Sequence, residues 1–187
     1  MHRPVQPGLG HAAQNATGPA DRSLTGGVGT VRQNGPVRRE GPFWDGVDGR
    51  APLPAAAVTL GWELVSVNPQ EGTIEVAFAA TEAFLNPAGV IQGGFLAAML
   101  DDTLGPALVA CLNPGDFAPT TDLHVQFLRP ARPGRLLGRG RVVRRGRDVG
   151  FLAGELVDED GAVVAVATAT VQIRTQMLQG YERRTET

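Results

Sequence analysis

The stretch from Asn86 to Asp102, NPAGVIQGGFLAAMLDD, places two adjacent glycines in front of an apolar segment that ends in two carboxylates. Only four polar side chains occur between residues 90 and 112: those of Gln92, Asp101, Asp102 and Thr103. Burying a carboxylate that has no partner costs several kcal/mol. We therefore expect the fold to satisfy or to use these acids, and we expect the chemistry of the protein to lie in this segment.

The apolar run predicts one long helix, which begins near Gly93 and ends near Leu112, where Asn113-Pro114-Gly115 follows. A helix of about 20 residues is about 30 Å long. Because its apolar residues point to nearly every side, it must be wrapped by other structure rather than laid on a surface.

Six strand-like segments flank the helix, two before it and four after it. They are residues 60–67, 73–78, 120–128, 136–144, 148–158 and 162–174. Turns separate several of them, among them Glu159-Asp160-Gly161, which has the Asp-Gly pair of a hairpin. Strands joined by short turns pair antiparallel. The order β-β-α-β-β-β-β therefore predicts an α+β fold in which a curved antiparallel sheet wraps around one central helix.

Composition divides the chain into three parts. Residues 1–41 are rich in Gly, Pro, Gln, Asn and Ser and show no apolar period, which predicts a disordered leader. Phe43 and Trp44 mark the start of a folded domain over residues 42–175. Residues 176–187 are expected to form a C-terminal tail.

Charge and cysteine content exclude several classes of function. The net charge is −2 and the pI is about 5.9, which argues against a general nucleic-acid binder. The single cysteine, Cys111, sits in an apolar run and should be buried. With three histidines it gives no zinc pattern, so we expect no metal and no cofactor. The N-terminus lacks a signal-peptide core, and the aspartates disfavour a membrane span over residues 90–112, so we expect a cytoplasmic protein.

Gly93 and Gly94 stand at the start of the predicted helix, where backbone N–H groups have no partner within the helix. The helix dipole adds partial positive charge there, and the missing side chains let a carbonyl oxygen come close. The pair therefore has the properties of an oxyanion site. The alternative interpretation is that the glycines only permit a tight entry into the helix.

Asp101 lies seven residues after Gly94, on nearly the same helix face but about 10 Å along the axis. A base and an oxyanion donor that act on one carbonyl must be closer together than this. Two antiparallel helices from two subunits could set Asp101 of one chain beside Gly93 of the other, so the spacing favours a two-fold dimer with interfacial sites. Asp102 points about 100° away, so only one acid should face a site, and the other should be solvated or paired with an arginine.

The order of elements, the NxxGxxQGG motif at residues 86–94 and the acid Asp101 on the helix resemble the hotdog-fold thioesterases. The resemblance is closest to the PaaI-like acyl-CoA thioesterase family and extends from about Phe43 to Arg174. It implies a homodimer or a dimer of dimers (a homotetramer) that hydrolyses acyl-CoA, with coenzyme A as part of the substrate.

The resemblance also implies roles for single residues. Asp101 matches the acid that acts as nucleophile or general base, and the amide at the glycine pair polarises the thioester carbonyl. Asn86 matches a residue that orients water or substrate, and Thr120 matches a small hydroxyl residue that assists from the strand after the helix. Many family members carry histidine where this chain has Gln92. Glutamine cannot exchange a proton near neutral pH, so we expect Gln92 to hold the loop or the carbonyl by hydrogen bonds.

The segment from Arg129 to Arg147 holds eight arginines and no acid. Three of them, Arg144, Arg145 and Arg147, crowd one turn. Planar guanidinium groups there would suit the phosphate oxygens of coenzyme A. A solvated strand face is the simpler alternative.

Phe95 and Met99, apolar residues of the helix, are expected to line a pocket for an aromatic or medium-length acyl group.

Two other functions stay open. A hydratase or dehydratase of the same fold needs a histidine paired with the acid near the helix start, and none stands there. A non-catalytic module that binds acyl-CoA is the stronger alternative, because of Gln92 and the long leader.

Overall fold

The computed structural model describes residues 39–175, so nearly all of the predicted leader and the whole predicted tail lie outside the described residues. Six strands form one antiparallel sheet in the order β1-β2-β4-β5-β6-β3. The strands are β1 Glu63–Asn68, β2 Thr73–Ala80, β3 Thr120–Phe127, β4 Gly134–Arg145, β5 Val149–Val157 and β6 Val163–Gln172. The predicted order of strands and long helix is confirmed.

The pairing between distant strands is the part of the fold that local patterns could not supply. The predicted β1–β2 hairpin and the predicted meander of β4, β5 and β6 are present. The two halves join because β2 pairs with β4, while β3 pairs with β6 at the far end. β1 and β3 are therefore the two edges of the sheet.

The central helix, α3, spans Gly93–Val109 and packs against the sheet. The side chains of Leu100, Leu104 and Leu108 on α3 are fully enclosed. Glycines in the sheet make this close approach possible. A Cβ at Gly154 on β5 would lie only 2.9 Å from a methyl carbon of Leu104, and one at Gly138 on β4 would collide with the side chain of Thr103.

Proline changes the second half of α3. Pro106 has no N–H, so it cannot donate the helical hydrogen bond to the carbonyl of Asp102. The indole Nε1–H of Trp62 donates to that carbonyl instead, at 3.0 Å. The helix ends at Val109, three residues before the predicted end at Leu112. No helix within the described residues is both long and apolar enough to cross a membrane.

Two short helices precede the sheet, α1 (Pro42–Val47) and α2 (Ala55–Leu60). Together with their flanks they form the cap, which we define as residues 39–62. The sequence indicated a helical turn at α2 but not the helix α1. Trp44 of α1 is 2% exposed and belongs to the buried residues of the domain.

Ion pairs hold the two ends of α1 together. Arg39 Nη2 lies 2.6 Å from Asp48 Oδ1, and the Arg39 guanidinium stacks 4.0 Å from the Trp44 ring centroid. Arg50 contacts Asp45 and Asp48, each at 2.8 Å. The hydrogen bond from Arg39, together with the one from Arg50, lowers the pKa of Asp48. These contacts are at the surface, so they fix the course of the chain more than they stabilise it.

Candidate active site

Asp101 lies on an exposed part of α3 and meets the first residue of β3. Its Oδ1 accepts a hydrogen bond from Thr120 Oγ1 at 2.8 Å. The hydroxyl holds the carboxylate in one orientation while leaving it open to solvent. The two residues that the family resemblance paired are thus in direct contact.

The two glycines at the start of α3 differ from each other. In the described chain neither of their N–H groups makes a hydrogen bond, and Gln92 at the N-cap provides no side-chain cap. A Cβ at Gly93 would lie 3.1 Å from the Phe127 ring, whereas a Cβ at Gly94 would meet nothing within 4 Å. Packing therefore explains the glycine at position 93, whereas no packing contact that a Cβ would make explains the glycine at position 94.

Asn86 closes the loop in front of the helix. Its Oδ1 accepts hydrogen bonds from the backbone N–H of Ala88 at 2.9 Å and of Val90 at 3.4 Å. Gly89 takes the positive φ of 75° that the turn requires. The Asn86 oxygen is thus committed to the loop, and only its amide NH₂ is left to meet a substrate. The Gln92 side chain is exposed and has no hydrogen-bond partner within residues 39–175.

Asp102 departs from the expectation that it is solvated or paired with an arginine. It is half-buried, and its Oδ2 is shielded from solvent with no partner among the described residues. Burial raises the pKa of Asp102 to about 6, and the charge of neighbouring Asp101 adds to the shift. A shielded oxygen without a donor disfavours the ionised form.

A cavity of about 560 Å³ lies between the cap and the second half of α3. Asp101, Asp102 and Thr120 all line it, so both acids border the same cavity. The two side chains point apart on the helix, but the cavity is wide enough to reach both. Most of its remaining wall is apolar, contributed by the cap, by α3 and by the segment 112–119 that leads into β3.

Comparisons with known proteins agree with this geometry. The model of the Thioesterase superfamily matches residues 88–165. A protein of Deinococcus radiodurans described as an esterase is 32% identical over 130 residues, which cover 67% of this chain and 85% of that protein. The crystal structure of a phenylacetic acid degradation-related protein from Ralstonia eutropha JMP134 shares 47% identity. The match covers 70% of this chain and 98% of that one, with a TM-score of 0.67.

The chain belongs to the thioesterase superfamily. A further structure of the same fold, smu.793 from Streptococcus mutans UA159, was solved with acetyl-CoA bound; it is 24% identical over 61% of this chain and 89% of its own, with a TM-score of 0.56. The hotdog fold and the PaaI-like resemblance are thereby confirmed, and the protein is a thioesterase.

The three arginines at the β4–β5 turn, Arg144, Arg145 and Arg147, differ in the contacts that they make. Arg145 of the thioesterase donates from Nη1 to the carbonyl of Cys111 at 2.7 Å and so satisfies a backbone group just beyond the end of α3. Arg147 is 95% exposed and lies 3.8 Å from Asp148 Oδ1. Arg144 is exposed and has no ion pair in the described part of the chain. Of the three, Arg144 and Arg147 are free to reach a phosphate.

The expected acyl contacts lie elsewhere than the cavity. Met99 is 0% exposed inside the core. The Phe95 ring stacks on Phe84 with centroids 4.0 Å apart and an interplanar angle of 17°. Neither Phe95 nor Met99 lines the cavity beside Asp101. The cavity beside Asp101 is therefore not the pocket that these two residues were expected to line.

Sequence reasoning missed the cap side of the site. Trp62 and α1 carry no motif, and only Pro106 inside an apolar helix signals that a carbonyl needs an outside donor.

Cys111 is buried as predicted, and burial raises the pKa of its thiol to about 11. Its thiolate, the reactive form, is thus disfavoured at neutral pH.

Proposed function

We propose that this thioesterase hydrolyses acyl-CoA thioesters with an aromatic or medium-length acyl group, at two sites of a two-fold homodimer. Asp101 acts as nucleophile or general base, and the amides at Gly93 and Gly94 of the second subunit bind the carbonyl oxygen. The observation that carries the proposal is the Thr120–Asp101 hydrogen bond, which presents an oriented carboxylate at the wall of an apolar cavity.

Strand β3 supports the dimer. It runs from Thr120, next to Asp101, to Phe127, whose ring lies over Gly93. Its outer edge has no partner strand among residues 39–175, and Phe127 is 53% exposed. Antiparallel pairing of β3 with the same strand of a second copy reverses its direction. Asp101 of one chain would then lie beside Gly93 of the other chain. Within one chain these two residues are about 12 Å apart along α3.

The chemistry follows from this arrangement. The free N–H groups and the positive end of α3 stabilise the oxyanion that forms when the thioester carbonyl is attacked. Asp101 either attacks the carbonyl carbon itself or takes a proton from the attacking water. The C–S bond then breaks, and coenzyme A leaves as its thiol with a proton that comes from water, directly or by way of Asp101. When water is the nucleophile the acyl group leaves at once as the free acid. When Asp101 is the nucleophile, a mixed anhydride forms first and water hydrolyses it to the free acid and the Asp101 carboxylate. The exposed Gln92 amide is able to hydrogen-bond the carbonyl or the loop without changing its charge.

The coenzyme A part of the substrate carries negative phosphates. Arg144 and Arg147 offer guanidinium groups at the surface, whereas Arg145 is engaged with the Cys111 carbonyl. The bound acetyl-CoA in the Streptococcus mutans relative supports a substrate of this class.

A complementation experiment tests both the reaction and the shared site. Asp101→Asn removes the acid, and Gly94→Pro removes one oxyanion N–H at a first-turn position where proline is tolerated. Each variant alone should release thiol from octanoyl-CoA or phenylacetyl-CoA at least about 100-fold more slowly than wild type. Gly94→Ala keeps the N–H and meets no atom of its own chain, so it is the matched control and should lose less activity than Gly94→Pro.

Mixing the two slow variants under subunit exchange gives the decisive result. In a mixed dimer one site carries both defects and the other carries none. With random exchange half of the dimers are mixed, so about one quarter of wild-type activity should return. A site built within one chain would give no recovery beyond the two variants measured separately. Wild-type protein that releases no thiol from any acyl-CoA would overturn the hydrolase itself.

A further inference from the structure

The cavity under the cap has the dimensions and the walls of an acyl pocket. Its volume of about 560 Å³ falls within the range of small-molecule sites. Phe43 and Val47 contribute from α1, and Gly105 and Val109 contribute from α3. Because Asp101 and Thr120 lie at its wall, a thioester carbonyl held at Asp101 would send one of its two substituents into this space.

Charge decides which substituent that is. The described residues that line the cavity include four carboxyl groups, those of Glu40, Asp101, Asp102 and Asp116, and no arginine, lysine or histidine. Such a wall repels the phosphates of coenzyme A. The uncharged acyl group is the part of the substrate that suits an apolar chamber with acidic margins.

The other apolar cluster near the helix start leaves no comparable room. The Phe84 and Phe95 rings are already in stacking contact, and Met99 is enclosed by the core. An acyl chain would have to displace these side chains, whereas the cavity under the cap is open as it stands.

Gly105 is the point on α3 where the cavity meets the helix. A Cβ at this position would meet no atom within 4 Å. Glycine in a helix interior weakens the helix relative to alanine. At position 105 it also relieves the crowding that the ring of Pro106 imposes on the Cβ of the preceding helical residue. Its effect is to keep the cavity wall open next to the backbone.

We propose that the acyl group binds in the cavity between the cap and α3, and that Gly105 sets the length of acyl group that is accepted. The proposal rests on the hydrolase function and adds the location and the size limit of the acyl site. The family model begins at residue 88, so the cap, which forms half of this pocket, lies outside the matched segment. Acyl selectivity is thereby assigned to a pocket in which the cap, outside the matched segment, faces Gly105, which lies inside it.

The test is an acyl-length series on Gly105 variants. Wild type, Gly105→Ala and Gly105→Leu are compared on acetyl-, butyryl-, octanoyl- and phenylacetyl-CoA. Gly105→Leu should lower kcat/KM for octanoyl- and phenylacetyl-CoA by at least about tenfold, and for acetyl-CoA by less than about threefold. Gly105→Ala fills little of the cavity and is the matched control for the change in helix propensity. Equal loss on all four substrates, or an unchanged profile, would overturn the proposal while leaving the hydrolase intact.

A second variant, which enlarges the cavity instead of filling it, tests the pocket in case Gly105→Leu does not fold. Val109→Ala enlarges the same cavity and should raise the ratio of dodecanoyl- to butyryl-CoA activity by about threefold or more. An unchanged ratio counts against the proposed pocket.

Tryptophan fluorescence separates binding from turnover. The chain has only two tryptophans, Trp44 and Trp62, and both line the cavity. Octanoyl-CoA added to the Asp101→Asn variant should change their emission with saturation, and Gly105→Leu in that background should weaken the response at least about tenfold. A saturable change would support the pocket even if no thioester were hydrolysed. Its absence would rule the pocket out, whatever the activity.

Discussion

Asp101 and Asp102 are adjacent and chemically identical, yet the two sides of α3 give them opposite surroundings. Asp101 faces the edge strand β3, where the Thr120 hydroxyl holds it at 2.8 Å in reach of solvent. Asp102 faces the cap, where one of its oxygens is shielded and unpartnered. The comparison shows that the helix fixes only where the two acids stand. The element packed opposite each acid decides whether its carboxyl group is hydrogen-bonded and exposed or shielded from solvent.

Replacing each acid in turn should produce the largest difference. Asp101→Asn removes the base or nucleophile, and kcat/KM on octanoyl-CoA should fall by about 10³-fold, or about 4 kcal/mol in the barrier. Asp102→Asn keeps the shape of the cavity wall and should cost less than about tenfold. Steady-state thiol release measures both. If Asp102→Asn proved the slower enzyme, the assignment of the reactive acid would be reversed.

The cap side holds Asp102 through its backbone rather than its side chain. Trp62→Phe keeps an aromatic side chain but removes the indole N–H that donates to the Asp102 carbonyl, a donor that Pro106 cannot replace. We expect the free energy of unfolding to fall by about 2 kcal/mol, as measured by urea denaturation.

The double variant Trp62→Phe/Pro106→Ala is the matched test of that explanation. Alanine restores an N–H at position 106, which can bond to the Asp102 carbonyl within the helix. The double variant should therefore be more stable than Trp62→Phe alone. Equal stability would mean that Trp62 acts through packing only.

On the β3 side, Thr120→Val should remove the donor to Asp101 while keeping the shape of the side chain. We expect kcat to fall by about tenfold, or about 1.4 kcal/mol, because the carboxylate loses its fixed orientation. Thr120→Ser retains the hydroxyl and should stay within about threefold of wild type. A Thr120→Ser variant as slow as Thr120→Val would argue that the methyl group, not the hydrogen bond, matters.

Sequence patterns predicted the elements of the fold but not everything around the site. Alternation and turn residues placed six strands and one helix correctly, because those features are local. The pairing of β3 with β6 depends on contacts between residues far apart in the chain, and only the structure supplied it. The family resemblance gave Asp101 and Thr120 their expected roles, and the structure showed that the two residues are in contact.

The environment of Asp102 is the clearest case of what could not be predicted. Helical spacing gives the direction of its side chain but not what lies opposite. That is set by Trp62, 40 residues earlier in the chain, and by α1, which lies earlier still. Nothing in their composition indicates that they fold over α3. The contacts of Met99 could not be predicted for the same reason, since an apolar residue on a helix that is apolar all round has no marked face.

The smallest effect should be a pH dependence that belongs to Asp102 alone. Its pKa rises from 3.8 in the unfolded chain to about 6 in the folded one, so between these values the folded state binds more protons. Stability therefore falls as pH rises from about 4 to about 6 and is constant above, with a total loss of about 1 kcal/mol after allowance for the part of the side chain that reaches solvent. Asp102→Asn should remove this decline, and Asp160→Asn, at an exposed turn, should leave it in place. Urea denaturation at pH 4.5 and at pH 7.5 gives the free energy of unfolding at each pH. Their difference is compared between variants, because any pH-independent cost of burying the amide cancels in it. An Asp102→Asn protein with the same decline as wild type would show that the carboxyl group is satisfied in solution, by water or by a second subunit.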